Sequence, residues 1–283
     1  LTFLLARGIA SRMTRHADLS ADLALIGRLA DAARSAVTPH FRNLSGICGK
    51  GTGKGSKGFD PVTEADRAAE RAMRDILAIE RPGDGITGEE YPETASDTGW
   101  RWYLDPIDGT RAFVAGLPVW TTLIALADVD AIPVIGVIDQ PVIGERYLGW
   151  PGGAALETLS GRAALRVSAC GDLREATIAT TDPFMFTPPE QGAWNHLRAA
   201  ARICRYGLDA YAYARLAGGT IDLVAESSLK AWDVAALIPV VRGAGGLATD
   251  WRGNAPRLGG QLVCAASEGI LEQSLLALRR AAD

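Results

Sequence analysis

Asp105-Pro106-Ile107-Asp108-Gly109-Thr110 sets two carboxylates three residues apart across a Pro-initiated turn, directly after an apolar run that reads as a strand. Both acids can point to one side, and the turn frees the Ile107 carbonyl as a third oxygen. Gly109 has no side chain to keep a phosphate from the backbone N–H groups, and Thr110 adds a hydroxyl. An ordinary turn is the plain alternative, since Asp, Pro and Gly dominate turns. Three more acids deserve weighing with this pair. Glu89 lies in Gly88-Glu89-Glu90 after apolar Ile86, Asp66 ends Thr63-Glu64-Ala65-Asp66, and Asp233 follows Trp232. Surface solvation explains Glu89 alone, and helix capping explains Asp66 and Asp233. Their joint force is positional: all fall at strand ends or helix starts, where an α/β sheet gathers its ligands.

An oxygen-only, carboxylate-dominated set suits Mg²⁺ or Mn²⁺ and argues against zinc or copper. His16, His40 and His196 lie far apart with no Cys spacing beside them, so no zinc site is expected. Gly53 to Gly58 satisfies G-x-G-x-x-G, yet it follows no strand and opens no helix, and Lys54 precedes Gly55 rather than Ser or Thr. It reads as a loop, neither a dinucleotide site nor a P-loop.

The elements that must position these residues follow from periodicity. Leu19, Leu23, Ile26, Ala30, Ala33 and Val37 form a helical stripe closed by Pro39. A second helix opens at the Thr63–Asp66 capping box, with Ala69, Met73 and Ile76 inward. Residues 102–104, 119–127, 132–138 and 146–150 read as strands. After Pro151-Gly152-Gly153, strands at 177–180, 203–206, 221–225 and 262–265 alternate with helices at 191–201, 209–217, 233–244 and 268–280. Pro239 should kink the third of these helices or shift its start. The expectation is a layered α/β protein, with residues 1–17 an N-terminal extension, 18–160 a metal- and phosphate-binding half, and 161–283 a substrate-recognition half, the two sharing one compact unit.

Composition narrows the partners. With 48% hydrophobic and 22% charged residues the chain is globular rather than disordered. Its formal charge of −4 gives no pull toward nucleic acid, so an anionic substrate needs a local device such as a bound metal. No run is long enough for a membrane span. Cys48, Cys170, Cys204 and Cys264 form no CxxC pair and read as reduced thiols of a cytoplasmic protein.

Taken in order, Asp60 to Asp66, Gly88-Glu89-Glu90, Asp105 to Thr110, Leu229 to Asp233 and Gly243-Ala244-Gly245-Gly246 resemble the motifs of the inositol monophosphatase superfamily. The likeness runs from about residue 20 to the C-terminus. It implies the layered α-β-α-β-α sandwich shared with fructose bisphosphatase, and it implies that Glu89, Asp105, the Ile107 carbonyl, Asp108 and Asp233 bind Mg²⁺. Lys57 would orient the nearby loop. Five ligating groups exceed what one Mg²⁺ takes from protein, so two or three ions are expected, with Mn²⁺ able to substitute and Li⁺ inhibitory. Two ions can clamp the attacking and leaving oxygens of an in-line displacement. Glu89 and Thr110 would orient the attacking water, Asp66 would support Thr110, and the Gly109 and Thr110 amides would steady the phosphate. The implied activity is phosphate monoester hydrolysis by a homodimer acting on a small molecule.

The branch within that superfamily is read from residues 204–213. Asp209 followed by Ala-Tyr-Ala-Tyr resembles the histidinol-phosphate phosphatases, where inositol phosphatases carry a Gly-Ser/Thr-Ala-Ala segment. Histidinol phosphate carries an ammonium and an imidazole, so Asp209 beside Glu226 would form charge-assisted hydrogen bonds to it. A helix-capping Asp209 is the alternative. Arg205 would clamp the phosphate or pair with Asp209. An inositol or other sugar-alcohol monophosphatase, and a catalytically silent metal- and phosphate-binding regulator, are the competing functions.

Overall fold

The first apolar stripe folds as helix α1 (Leu19–Val37), whose inner face buries Leu25, Ile26, Leu29, Ala30, Ala33 and Val37. It gives way to a single 3-10 turn at Thr38–His40, with Pro39 inside it. The structure is a computed structural model that describes residues 19–43 and 64–283. The N-terminal extension, the Gly53–Gly58 run, Lys57 and Thr63 of the capping box lie outside the described residues. Helix α2 (Glu64–Glu80) buries Ala65, Ala69, Met73 and Leu77, and with them two acids, Asp66 and Glu70.

Seven strands follow: β1 (Gly85–Gly88), β2 (Arg101–Asp108), β3 (Thr121–Ala127), β4 (Pro133–Gln140), β5 (Glu145–Trp150), β6 (Gly153–Thr158) and β7 (Gly161–Ala164). They form one sheet in sequence order. Only β1 and β2 run parallel; the rest is an antiparallel meander. A short helix, α3 (Thr110–Val114), leaves the end of β2. Alternation along the strands sends side chains to opposite faces. Trp102, Leu104, Ile124 and Leu126 pack against α1 and α2, while Tyr103, Leu123, Ala125 and Ala127 face the other way.

The remaining chain makes β8 (Thr177–Ala179), α4 (Pro188–Ala200), β9 (Ile203–Arg205), α5 (Tyr211–Ala217), β10 (Leu223–Leu229), α6 (Ala231–Gly243), β11 (Leu247–Thr249), β12 (Gly260–Ala265) and α7 (Glu268–Leu278). Its five strands form a second sheet in the order β11-β12-β10-β8-β9. Helices α5 and α6 lie between the two sheets, and α4 and α7 cover the outer face of the second. The layers are therefore α1/α2, sheet, α5/α6, sheet, α4/α7, the sandwich that the motifs imply. Contact between α6 and the first sheet is intimate, because a Cβ at Gly136 or Gly149 would overlap the helix backbone at Ala236 and Val240.

Several sequence expectations need correction. Helix α6 runs Ala231–Gly243, two residues earlier in its start than the Asp233–Ala244 expected, and it includes Pro239 while packing on β3, β4 and β5. Helix α5 starts at Tyr211 rather than Asp209, and Asp209 holds a left-handed φ of 47° outside it. Strands β6, β7 and β11 were not anticipated; they are short, and β7 is exposed throughout. The Asp105–Asp108 segment is part of β2, not a turn beyond it.

Candidate active site

A β-bulge solves the geometry of the two aspartates. Asp105 pairs with Leu123 and Asp108 with Thr121, so three steps on β2 oppose two on β3. In a regular strand residues three apart face opposite sides; one extra residue returns them to the same side. Pro106 lies within the bulge, where its missing N–H breaks no ladder bond. Its carbonyl accepts the Thr122 hydroxyl at 2.7 Å. A second bulge interrupts β10 between Glu226 and Leu229, with Ser228 at a φ of 62°. Each sheet thus supplies one bulge, and both face a single cavity of about 390 Å³.

That cavity gathers Glu89, Asp105, Ile107, Asp108, Gly109, Thr110, Asp209, Glu226 and Asp233 from five segments of the chain. Carboxylate oxygens of Asp105, Asp108 and Asp233 lie within 4.8 Å of one another. Asp233 occupies the first turn of α6, and its carboxylate accepts the Lys230 amide at 2.7 Å. It is not the cap residue itself; Lys230 holds that position. Asp108 Oδ2 accepts the Ala210 amide at 2.6 Å, and Thr110 donates its hydroxyl to the Ile107 carbonyl at 3.1 Å. Gly109 turns the chain at a φ of 83°, and a Cβ there would lie 3.0 Å from Asp209 Oδ2.

Electrostatics mark the site as one built around positive charge. Burial first, and then the neighbouring Glu89, Asp108 and Asp233, push the Asp105 carboxyl well above its ordinary range. Burial and Asp209 do the same to Asp108. Burial pushes Asp233 up to about 6, against the pull of the Lys230 amide, and Asp209 up to about 7 with Glu226 beside it. Oδ1 of Asp105 is buried and has no hydrogen-bond partner among the described residues. A buried oxygen of this kind, among like charges, fits a hard divalent cation.

Other expected residues stand differently. Asp66 is buried on α2 near enough to raise Asp105, but it does not line the cavity. Glu226 lines it with its oxygens engaged: Oε1 accepts the Thr181 amide at 2.8 Å as well as the Thr181 hydroxyl, and Oε2 accepts the Tyr213 hydroxyl at 3.0 Å. Arg205 sits on exposed edge strand β9 and is not part of the cavity wall. Among the described residues, the cation that lines it is Arg111, which donates to Asp182 at 3.1 Å across the cleft. Its place directly after Thr110 is the sequence signal for it, one residue beyond the Asp105–Thr110 motif.

A model of the inositol monophosphatase family matches residues 18–283. The chain is 40% identical over 234 residues to the chloroplastic bifunctional phosphatase IMPL2 of Arabidopsis thaliana, covering 80% of this chain and 63% of that protein. It is 38% identical over 220 residues to a histidinol-phosphatase of Mycobacterium tuberculosis, covering 76% and 83%. Among solved structures, an inositol monophosphatase from Zymomonas mobilis superposes with a TM-score of 0.81 at 37% identity, covering 93% of this chain and 99% of its own.

Proposed function

The chain belongs to the inositol monophosphatase family, a family of phosphatases, and from that premise we propose that it hydrolyses L-histidinol phosphate to L-histidinol and phosphate. Glu89, Asp105, Asp108, Asp233 and the Ile107 carbonyl would hold two or three Mg²⁺ ions. Bound there, they supply electrostatic stabilisation for charge developing on the attacking, leaving and equatorial oxygens of an in-line displacement.

The chain's own groups do the rest. Thr110 has committed its hydroxyl proton to Ile107, so it offers the cavity lone pairs alone, and these accept a hydrogen bond that orients the attacking water. Glu89 orients that water from the end of the neighbouring parallel strand β1, and Asp66 backs Asp105 and Thr110 from α2. Amides of Gly109 and Thr110 hold phosphate oxygens where the missing Cβ of Gly109 permits close approach.

One observation carries the substrate assignment. The Asp209 carboxylate is packed against Gly109, and the next residue's amide is bonded to Asp108, so in this reading an acid lines the wall where the alcohol part of the substrate leaves the phosphate cradle. A cationic leaving group gains charge-assisted hydrogen bonds from it, whereas inositol gains ordinary ones. Glu226 reinforces the negative field from behind. The similarity to the M. tuberculosis histidinol-phosphatase supports the same reading, and the likeness to the Z. mobilis inositol monophosphatase defines its competitor.

Asp209→Asn tests it. Asn tolerates a left-handed backbone, and no helix depends on this side chain for a cap, so charge is removed with little structural cost. A hydrogen bond to a charged group is worth about 1.5–3 kcal/mol and a neutral one about 0.5–1.5. The variant should lose roughly ten-fold in kcat/KM for histidinol phosphate and little for inositol 1-phosphate. An equal loss on both would return the inositol reading to first place.

A further inference from the structure

Helix α2 presents a buried carboxylate to the strand end that carries Glu89. Glu70 is fully buried, one turn beyond Asp66. Its Oε2 accepts the Glu90 amide at 2.7 Å, and its Oε1 accepts Arg74 Nε at 2.8 Å. Gly88 lies so close on the other side that a Cβ would overlap the Glu70 carboxylate. The residues before and after Glu89 are thus both held by one side chain. Arg74 extends the hold, donating to the Tyr91 carbonyl at 3.3 Å and to the Thr94 hydroxyl at 3.1 Å. Packing alone would be met by an apolar residue, as it is by neighbouring Ala69 and Met73. A buried carboxylate must be desolvated, and it persists here with its acceptors matched to two donors.

We propose that Glu70 is a positioning residue for Glu89: with Arg74 it fixes the Gly88–Glu90 backbone so that the Glu89 carboxylate meets the divalent cation without first being ordered. This rests on the reading of Glu89 as a cation ligand. Side chains that orient ligands typically change metal affinity by about 10–100-fold when removed. Glu70→Gln is the informative change, because an amide offers one acceptor and one donor where two donors converge.

The test is Mn²⁺ binding to the full chain by titration calorimetry, with Mg²⁺-dependent phosphate release measured alongside. Glu70→Gln should raise the Mn²⁺ Kd about ten-fold and shift half-saturating Mg²⁺ in parallel, with kcat at saturating Mg²⁺ near wild type. Asp22→Asn removes a comparable pair with Arg81, 2.8 Å long and outside the cavity, and should lower Tm while leaving Mn²⁺ affinity unchanged. Should Glu70→Gln fail to fold, Gly88→Ala retains both Glu70 and Arg74 in the chain but drives a methyl group into the Glu70 carboxylate and so displaces the same backbone, with the same expected loss of affinity. Wild-type affinity in the variant that folds, or an equal loss in Asp22→Asn, would overturn the positioning role. Absence of Mn²⁺ binding by the wild-type chain would instead overturn the metal-site reading, and this inference with it.

Discussion

The amide of Ala210 donates to Asp108 Oδ2 at 2.6 Å, joining a segment of the second sheet's half to an acid on the first sheet. The hydrogen bond spans 102 positions of sequence. Because Asp209 immediately precedes that amide, the residue proposed to choose the substrate is covalently adjacent to one that holds a proposed cation ligand. Substrate recognition and metal geometry are thereby one mechanical unit.

Removing a charge from the carboxylate trio should be far more damaging to activity than to folding. Asp105→Asn takes away the acid most surrounded by other acids, so the metal-free protein should gain stability while turnover falls by more than about 100-fold. Melting curves and phosphate release on the same preparation check both halves. Full turnover in the variant, or turnover surviving exhaustive chelation, would remove Asp105 from the cation site.

Stability should depend on pH in opposite senses with and without metal. Asp233 and Asp209 have folded-state values raised to about 6 and about 7, above the ordinary carboxylate range. Between the unfolded and folded values the native state binds more protons, so the chelated protein loses stability as pH rises from about 4 to 7. Divalent cation would replace the proton on Asp233 and lower the value of nearby Asp209, so its affinity should rise across the same window. Tm measured at pH 5 and 7.5, with EDTA and with Mg²⁺, should show the larger Mg²⁺ gain at pH 7.5. A Mg²⁺ gain that is equal at the two pH values would contradict the linkage.

How much of this was legible in the sequence follows from range. Asp105, Asp108 and Thr110 announce themselves because turn-forming and oxygen-bearing residues are contiguous, and the strands around them are short apolar runs, buried almost throughout. The bulge that aligns the two acids was not legible, since it depends on the register with β3. No local motif marks Glu70, and its burial appears only once the Gly88 strand end packs on α2. Asp209 reads equally as a substrate-binding acid or a helix cap, because Asp favours caps; its left-handed backbone, and the bond of the following Ala210 amide to Asp108, appear only in the fold. Strands β6 and β7 carry Gly, Ala and Thr with little apolar alternation, so periodicity alone could not find them.

Gly109 should resist substitution for two separable reasons. Its φ of 83° costs an L-residue roughly 1–3 kcal/mol, and a Cβ would press on Asp209. Gly109→Ala should therefore lower unfolding free energy by about that amount in urea titrations and reduce activity on every phosphomonoester. Selective loss on one substrate would point to a role confined to the leaving group.

Arg111 is expected to matter for capture rather than for folding. Its side chain is 62% exposed in the bridge to Asp182, and exposed pairs contribute about 0–1 kcal/mol. Arg111→Met should leave Tm unchanged and lower kcat/KM at low ionic strength, with the deficit shrinking as salt screens the cleft. A deficit that is independent of salt would indicate direct contact with bound substrate instead of steering.

The central claim is a metal-dependent phosphomonoesterase whose acidic leaving-group wall prefers a cationic alcohol. Side-by-side kcat/KM values for L-histidinol phosphate and inositol 1-phosphate, measured with Mg²⁺ and after chelation, test it most directly. Hydrolysis of both only with Mg²⁺, and faster by at least about ten-fold for histidinol phosphate, is the predicted result. Equal or greater efficiency on inositol 1-phosphate, or phosphate release without divalent cation, would contradict it.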